Sequence, residues 1–230
     1  MDISELKQGC LYCDRQAAIF KYLEPDELIR INESRNELIY NAGDHIIKQG
    51  APATHVLSFT NGLAKVVIEG AEDGIILKLI KPVRFIAGPG FFLRNRHAYS
   101  IIALEKSYVC AIDEKVFKEI LASNHRFNEG FLRHVNKNYQ FVLNKFISQF
   151  QNNTKGRVAN TFLYLADEIY NSDSFKLTFS ISDLSSLAAM SKESMFRIIK
   201  EFSDDKIIRI SKKRIDILNK PLLEMISEKG

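Results

Sequence analysis

The stretch that most constrains this chain is residues 180–214, whose pattern predicts two short helices followed by a hairpin. Ser180 and Asp183, three residues apart, indicate a capped helix start. Ser191 is placed to cap a second helix. That helix carries its apolar residues at helical spacing: Met195, Ile198, Ile199 and Phe202. The chain between the two helices is short enough to be a tight turn.

The hairpin is predicted from two β-branched runs, residues 207–210 and 215–218, joined by Ser-Lys-Lys-Arg at 211–214. Two short helices and a hairpin with a cationic tip make a winged helix-turn-helix, whose second helix enters the DNA major groove. Residues 192–214 hold eight Lys or Arg against four Asp or Glu, an excess suited to phosphates. The alternative is a small α+β packing unit with solvated charges. The candidate DNA-binding residues are Ser191, Lys192, Glu193, Ser194, Arg197, Lys212 and Lys213.

Residues 37–113 have a different sequence pattern, in which short apolar runs alternate with turn dipeptides such as Asn61-Gly62. Strands at 64–68, 75–80 and 99–104 fit between these turns. We therefore predict a jelly roll of about eight strands. Helices are expected before it at 15–22 and 26–32, and after it from 114 onward.

Residues 127–150 predict one long helix with an apolar seam at heptad spacing. The seam residues are Leu132, Val135, Tyr139, Val142 and Phe146. Such a seam favours a homodimer, and the alternative is that this face packs on the chain's own β-roll. A polar hinge follows at 151–154, where Thr154 is expected to cap a helix over 156–170.

The chain of 230 residues is long enough for more than one core. We expect an α+β protein with a sensor β-roll and flanking helices over 1–126, a dimerisation helix and hinge over 127–152, and a winged helix-turn-helix over 153–230. The formal charge of +4 is modest, so the argument for nucleic acid is local. With no apolar run of the roughly 20 residues that a bilayer requires and no apolar signal core at the start, we expect a cytoplasmic protein without a membrane partner.

A β-roll, a long dimer helix and a winged helix, in that order, resemble the Crp/Fnr family of bacterial transcription regulators. The most specific parts are SKESMFRIIKEF followed by KIIRI, with YNAGDHIIKQG and FTNGLAKV in the roll. The resemblance implies that Lys192, Glu193 and Arg197 read base edges, and that RNA polymerase is a partner. One departure is Ala189, where the family usually has Gly; a positive φ there would cost about 1–2 kcal/mol.

The resemblance also implies a small-molecule effector at the β-roll. Family members that bind cyclic AMP carry a Glu and an Arg in the pocket, and here Gly88 and His97 occupy those positions. We therefore expect an effector other than cyclic AMP, with the pocket filled by Phe91, Phe92 and Tyr99. The candidate pocket residues are Gly88, Gly90, Arg94, Arg96, His97 and Tyr99. A solvated loop is the alternative for the cations among them.

Three cysteines, Cys10, Cys13 and Cys110, resemble part of the ligand set of the family's oxygen-sensing branch. An iron–sulfur cluster ordinarily takes four Cys ligands, so a fourth ligand such as Asp14 would be needed. The alternative is that Cys110 is a small apolar residue on a strand, with Cys10 and Cys13 free or redox-active. We therefore predict no cofactor or metal from the sequence.

The sequence disfavours two other function classes. A cupin-type enzyme on a jelly roll needs clustered His and Glu ligands, and His45, His55 and His97 do not have that spacing. No catalytic constellation was found in the sequence, so we expect no enzyme. A ligand-binding or interaction module with a degenerate DNA domain is disfavoured by the intact set of Lys192, Glu193 and Arg197.

Overall fold

The computed structural model describes residues 13–70, 74–93 and 95–230. The chain forms two compact units. The first comprises the described residues up to Glu69 together with Leu79–Tyr139, and the second comprises the described part of Gly70–Lys78 together with Gln140–Gly230.

The first unit begins with a 3₁₀ turn, Ala18–Tyr22, and helix α1, Pro25–Ser34. Of the helix predicted over 15–22, only this 3₁₀ segment over the last five residues is present. Pro25 disfavours helical geometry at Glu24, which is extended, so the segment before it forms only a short 3₁₀ helix. α1 starts with Pro25 in its first turn and a reciprocal cap between Glu24 and Glu27.

The jelly roll predicted from the sequence is confirmed, and its strands form two four-stranded sheets. One sheet has the order β1-β8-β3-β6 and the other β2-β7-β4-β5. β8 pairs antiparallel with β1 and β3, β3 with β6, and β7 with β2 and β4, as in Glu37 opposite Cys110. The strands are β1 (Arg35–Tyr40), β2 (His45–Ile47), β3 (His55–Asn61), β4 (Ala64–Ile68), β5 (Ile75–Ile80), β6 (Arg84–Ile86), β7 (Ser100–Ala103) and β8 (Ser107–Asp113).

Aromatic rings fill the core between the roll and its flanking helices. Phe85 stacks on Phe117 with ring centroids 5.2 Å apart, and Phe117 packs edge-on against Phe127 and Phe131. Phe91, from the short helix α2 (Gly90–Leu93), joins the same cluster. These rings leave the loop before β7 little internal space, because interiors pack to crystal-like density.

Helix α3 (Glu114–Ser123) follows β8, and its first N–H groups are capped by Asp113. The predicted long helix is present as α4 (His125–Gln151). α5 (Thr154–Leu163) comes next, and Asn153 rather than Thr154 supplies its cap, accepting from the N–H of Gly156. Thr154 is already the first helical residue, so the predicted boundary was late. A π-helical segment, Tyr164–Tyr170, continues α5.

The rest of the second unit is the winged helix-turn-helix. Its elements are β9 (Ser174–Lys176), α6 (Ile181–Leu187), α7 (Lys192–Asp204), β10 (Ile208–Ser211), β11 (Arg214–Ile217) and α8 (Lys220–Lys229). The three strands form one sheet of order β10-β11-β9. β9 and α8 were not predicted. α8 packs on α5, and β9 extends the hairpin into a three-stranded wing.

Candidate nucleic-acid interface

Helix α6 starts as the sequence predicts. The Ser180 hydroxyl accepts from the N–H of Asp183 at 3.1 Å, and the Asp183 carboxylate accepts from the N–H of Ser180 at 3.1 Å. Leu184 and Leu187 are buried on its inner face. The reciprocal cap fixes where α6 begins and therefore which face it presents to α7.

The turn between α6 and α7 has the left-handed residue that the sequence suggested. Ala189 has a φ of 53°, a conformation in which a Cβ is unfavourable by about 1–2 kcal/mol. The Ala189 N–H donates to the Ser186 carbonyl at 3.1 Å, and the Ala189 carbonyl accepts from Arg157 Nη1 at 3.0 Å. These contacts hold the turn in its strained shape.

Helix α7 turns its predicted apolar stripe inward. Met195, Ile198 and Phe202 are buried, while Ile199 is partly exposed. Ser191 caps the helix, its hydroxyl accepting from the N–H of Ser194 at 3.2 Å. The stripe and the cap together determine the outward face of α7.

That outward face carries the predicted base-reading side chains. Lys192, Glu193 and Arg197 are exposed, and Ser194 is half-buried. Hydrogen bonds from its own backbone N–H and from Ser191 hold the pKa of Glu193 below its usual range. Glu193 is therefore ionised at neutral pH, which suits it to accept from cytosine N4, while Arg197 and Lys192 suit guanine O6 and N7.

Two residues of the same helix were missed by the sequence reasoning. Phe196 is 56% exposed, beside Arg197, and Lys200 is exposed one turn after Phe196. The signal was present, because neither residue belongs to the buried stripe. An exposed aromatic ring on this face can contact a thymine methyl group.

The wing has its tip where the sequence predicts it, but the turn has two residues instead of four. Ser211 pairs with Arg214, leaving Lys212 and Lys213 as a two-residue turn in which Lys212 has a φ of 57°. Both lysines are exposed. Arg214, by contrast, turns back onto the sheet and donates to Asp216 at 3.2 Å and Ser174 at 2.6 Å. The two lysines therefore form an exposed cationic tip, as the sequence predicts.

The predicted seam on α4 is an exposed apolar face. Tyr139 and Phe146 are 65% and 57% exposed. Leu132, Val135 and Val142 are also exposed, as are the neighbouring Leu143, Ile147 and Phe150. A contiguous apolar face of this kind indicates an interaction surface.

The β-roll loop is occupied by the chain itself. A Cβ on Gly88 would lie 3.0 Å from the Tyr99 hydroxyl, and burial raises the pKa of Tyr99 to about 12. Arg96 donates to the Gly50 carbonyl at 2.6 Å. Burial lowers the pKa of His97. The backbone carbonyl of His97 accepts from the Gly50 N–H at 2.8 Å, and its backbone N–H donates to the Ala51 carbonyl at 2.9 Å.

Of the residues expected to fill that loop, Phe91 is buried and Phe92 is half exposed against Phe131. The predicted pocket residue Arg94 lies outside the described residues.

The cysteine hypothesis gains no support from the described part of the chain. Cys13 and Cys110 are half-buried, and Arg35 Nη1 lies 3.5 Å from the Cys110 sulfur. Cys10 lies outside the described residues. Within residues 13–70, 74–93 and 95–230, no three His, Cys, Asp or Glu side chains lie together as a metal site, so we carry no cluster chemistry further.

No helix among the described residues has the length and apolarity that a bilayer crossing requires.

Two family models match the chain, and together they take in more than half of it. The cyclic nucleotide-binding domain matches residues 37–124, and the Crp-like helix-turn-helix domain matches residues 156–226. A curated relative, the transcriptional regulatory protein btr of Bordetella pertussis, is 20% identical over 207 residues, covering 87% of this chain and 83% of the relative.

Solved structures show the same fold. FixK2 from Bradyrhizobium japonicum has a TM-score of 0.76 at 13% identity, covering 84% of this chain and 96% of that one. TTHA1359 from Thermus thermophilus, a transcriptional regulator of the CRP/FNR family, has a TM-score of 0.70 at 18% identity, covering 85% of this chain and 100% of that one.

Proposed function

The chain belongs to the Crp/Fnr family of transcription regulators, and we propose that it acts in the cytoplasm as a homodimer on an inverted-repeat DNA site. It is a regulator rather than an enzyme in this proposal. The observation that carries the proposal is the outward face of α7, on which Lys192, Glu193 and Arg197 are exposed together. Lys212 and Lys213 lie at the exposed tip of the same domain's wing.

The two groups have different tasks in the proposal. Arg197 and Glu193 read base edges and so set the sequence preference, while Lys212 and Lys213 bind phosphates and so set position and salt dependence. The charge of each group supports this division. A carboxylate such as Glu193 repels phosphates, so its place on the groove-facing side is favourable only if it accepts from a base.

A competition experiment tests the DNA assignment. Arg197→Ala should weaken binding to the preferred palindrome by about 1–3 kcal/mol and relax the preference at one symmetric pair of positions. Lys212→Ala should weaken binding to all duplexes alike and lower the salt slope by about one. Affinities are measured on the palindrome and on scrambled DNA at several salt concentrations.

Lys229→Ala is a matched control, because it removes an exposed cation from α8, away from both groups. It should leave affinity and salt slope unchanged. If Arg197→Ala loses the same factor on both DNAs, Arg197 contacts phosphate and the base-reading assignment fails.

The dimer is proposed from the exposed apolar face of α4, which no described part of the chain covers fully. Two copies of this face pack as a parallel coiled coil through Val135 and Val142. A twofold dimer then presents its recognition helices about one DNA turn apart, roughly 34 Å, so an inverted repeat is the expected site.

Analytical ultracentrifugation tests the dimer. Val135→Glu with Val142→Glu brings like charges into the proposed interface, so the double variant should sediment as a monomer at concentrations at which the wild type is a dimer. Lys137→Glu together with Arg133→Glu, on the same helix outside the seam, serves as the control. Wild type and seam variant at the same mass would show that the face is not a dimer interface.

The effector proposed for the β-roll is not cyclic AMP. Gly88 offers no carboxylate to a ribose hydroxyl, and the Tyr99 hydroxyl lies where a side chain at 88 would begin. His97, at the position of the phosphate-binding Arg, is half-buried with a lowered pKa and so offers a neutral ring. Calorimetry should find cyclic AMP bound no better than about millimolar, equivalent to about −4 kcal/mol. Micromolar affinity would overturn this part of the proposal.

A further inference from the structure

A cavity of about 240 Å³ lies within the second unit, bounded by the C-terminal part of α4, by α5 and by the end of α6. On α4 it is lined by Phe141, Lys145 and Ser148, a face that differs from the exposed seam. The described lining includes two cations, Lys145 and Arg157, and no carboxylate. An uncompensated pair of cations in one cavity indicates an anionic ligand.

Arg157 is the first of these cations. Its Nη1 donates to the Ala189 carbonyl at 3.0 Å, but its Nε is buried without a hydrogen-bond partner among the described residues. Buried donors are nearly always satisfied, and an unsatisfied one on a charged group is costly. A ligand oxygen in the cavity would satisfy it.

Lys145 is the second cation. Its ammonium donates to the carbonyls of Ile76 and Leu77 at 2.9 and 2.8 Å. An ammonium has three N–H donors, so one is left for a ligand. Burial lowers the pKa of Lys145 to about 8, and the group therefore still carries its charge at neutral pH.

The remaining lining sets the size and character of the ligand. The rings of Phe141 and Tyr164 lie 5.8 Å apart and form an aromatic wall. Asn144, Asn160 and Thr161 add neutral polar groups. The volume equals that of roughly eight water molecules in the liquid, which suits a molecule with a single ring.

We propose that this cavity binds a small aromatic carboxylate, whose charged group bonds Arg157 and Lys145 and whose ring packs against Phe141 and Tyr164. A carboxylate matches the planar guanidinium, and the neutral walls favour the ring. This site differs from the candidate pocket in the β-roll loop around Gly88, and its lining residues all belong to the second unit.

Arg157 gives the site a route to the recognition helix. The same guanidinium that faces the cavity holds the Ala189 carbonyl in the strained turn before α7. An anion that fixes Arg157 favours the shape of this turn and so tightens DNA binding. This consequence rests on the proposed DNA-binding function, whereas the binding of the carboxylate does not.

Isothermal titration calorimetry with benzoate on the full chain tests the site. Arg157→Gln and Lys145→Gln should each weaken benzoate binding by about tenfold or more, because each removes a charge-assisted hydrogen bond. Lys137→Gln removes an exposed cation from the same helix and should leave binding unchanged. Benzamide, the neutral analogue, should bind at least about tenfold more weakly than benzoate.

Asn144→Trp keeps the test decisive if removing a buried cation unfolds the domain. Asn144 is exposed at the edge of the cavity, so an indole there obstructs entry without disturbing the core, and benzoate binding should be lost. Circular dichroism checks the fold of each variant. No benzoate binding by the wild type at millimolar concentration, equal binding of benzamide, or unchanged binding by Asn144→Trp would overturn the proposal.

A gel shift with and without benzoate separates the site from the proposed function. Benzoate should tighten DNA binding by the wild type and leave that of Arg157→Gln unchanged. If benzoate binds through Arg157 but the chain binds no DNA, the ligand site stands and the proposed function falls. If the chain binds DNA but not benzoate, the proposed function stands and the ligand site falls.

Discussion

Site residues were predicted from the sequence both on the outward face of α7 and in the β-roll loop around Gly88. The two regions differ in whether those residues are exposed or engaged with other parts of the chain. On α7, Lys192, Glu193 and Arg197 are exposed. In the loop, Arg96 is bonded to the Gly50 carbonyl and the Tyr99 hydroxyl lies against Gly88. A helix face is decided by neighbours three or four residues away, whereas a loop cavity is decided by segments that are distant in sequence.

The largest effect is expected in the loop, at Gly90. A Cβ there would overlap the backbone carbonyl of Arg96, and backbone cannot move aside without breaking the pairing around His97. Gly90→Ala should lower the free energy of unfolding of the β-roll by about 3 kcal/mol or more. Hydrogen exchange of β-roll peptides measures this locally.

Gly70→Ala is the matched control for that experiment, because none of the described residues lies within 4 Å of a Cβ built there. Its effect should stay within about half a kcal/mol. A Gly90→Ala variant as stable as Gly70→Ala would mean that the loop is loosely packed. The candidate pocket residues could then line a ligand site after all.

Lys145 extends the comparison to a cation that is half-buried rather than exposed. Burial lowers its pKa from the ordinary value to about 8. Between about pH 8 and 10.4 the unfolded chain binds more protons than the folded one, so the free energy of unfolding rises with pH. Across that window the free energy of unfolding of the wild type should rise by about 3 kcal/mol relative to that of Lys145→Gln. Below pH 8, Lys145 should contribute no pH dependence to the difference.

Urea unfolding of both proteins at pH 7 and pH 10 measures this gain. Other groups titrate in both proteins, so their contributions cancel in the difference. Parallel pH profiles would mean that the Lys145 ammonium is well solvated, and the cavity would then contain one buried cation instead of two.

The elements that sequence predicted well are those whose signals are local. The reciprocal cap at Ser180 and Asp183, the cap at Ser191 and the stripe of α7 were all confirmed. The left-handed residue in the turn was suggested by the resemblance to the Crp/Fnr family, which usually has Gly at the position of Ala189. The helix predicted over 15–22 is present only as a short 3₁₀ helix over 18–22, which places Ile19 and Phe20 in the core.

What sequence could not supply depends on long-range contacts. Arg157 and Lys145 looked like ordinary helix cations, and only the packing of α4, α5 and α6 buries them around one cavity. β9 was not predicted because a strand of three residues is too short to show a recognisable alternation of apolar and polar side chains. Arg214 was grouped with the tip lysines, yet Asp216 and Ser174 hold it to the sheet.

Ser191 tests whether a residue assigned to DNA binding acts instead through the fold. Its hydroxyl accepts from the Ser194 N–H, so Ser191→Ala should destabilise the helix-turn-helix by about 1 kcal/mol. Ser191→Asp keeps an acceptor at the cap and should preserve stability, while its charge should repel phosphates and weaken binding to all duplexes. Thermal unfolding and gel shifts separate the two effects.

The smallest effect is expected at Ala189, where a local rule is broken within an otherwise locally determined region. At a φ of 53° the Cβ is unfavourable by about 1–2 kcal/mol, and Gly removes that strain but gives the unfolded chain more freedom, worth about 0.4–1 kcal/mol. Ala189→Gly should therefore stabilise the helix-turn-helix by about 0.8 kcal/mol, the middle of a range of roughly 0–1.6 kcal/mol. Ala188→Gly, at the neighbouring buried position with negative φ, should destabilise it, since no strain is relieved and entropy and packing are lost. Hydrogen exchange of peptides from α6 and α7 measures both changes. If the two variants shift in the same direction, the strain at Ala189 is already relaxed by its bond to Arg157, and this turn is determined by long-range contacts as the β-roll loop is.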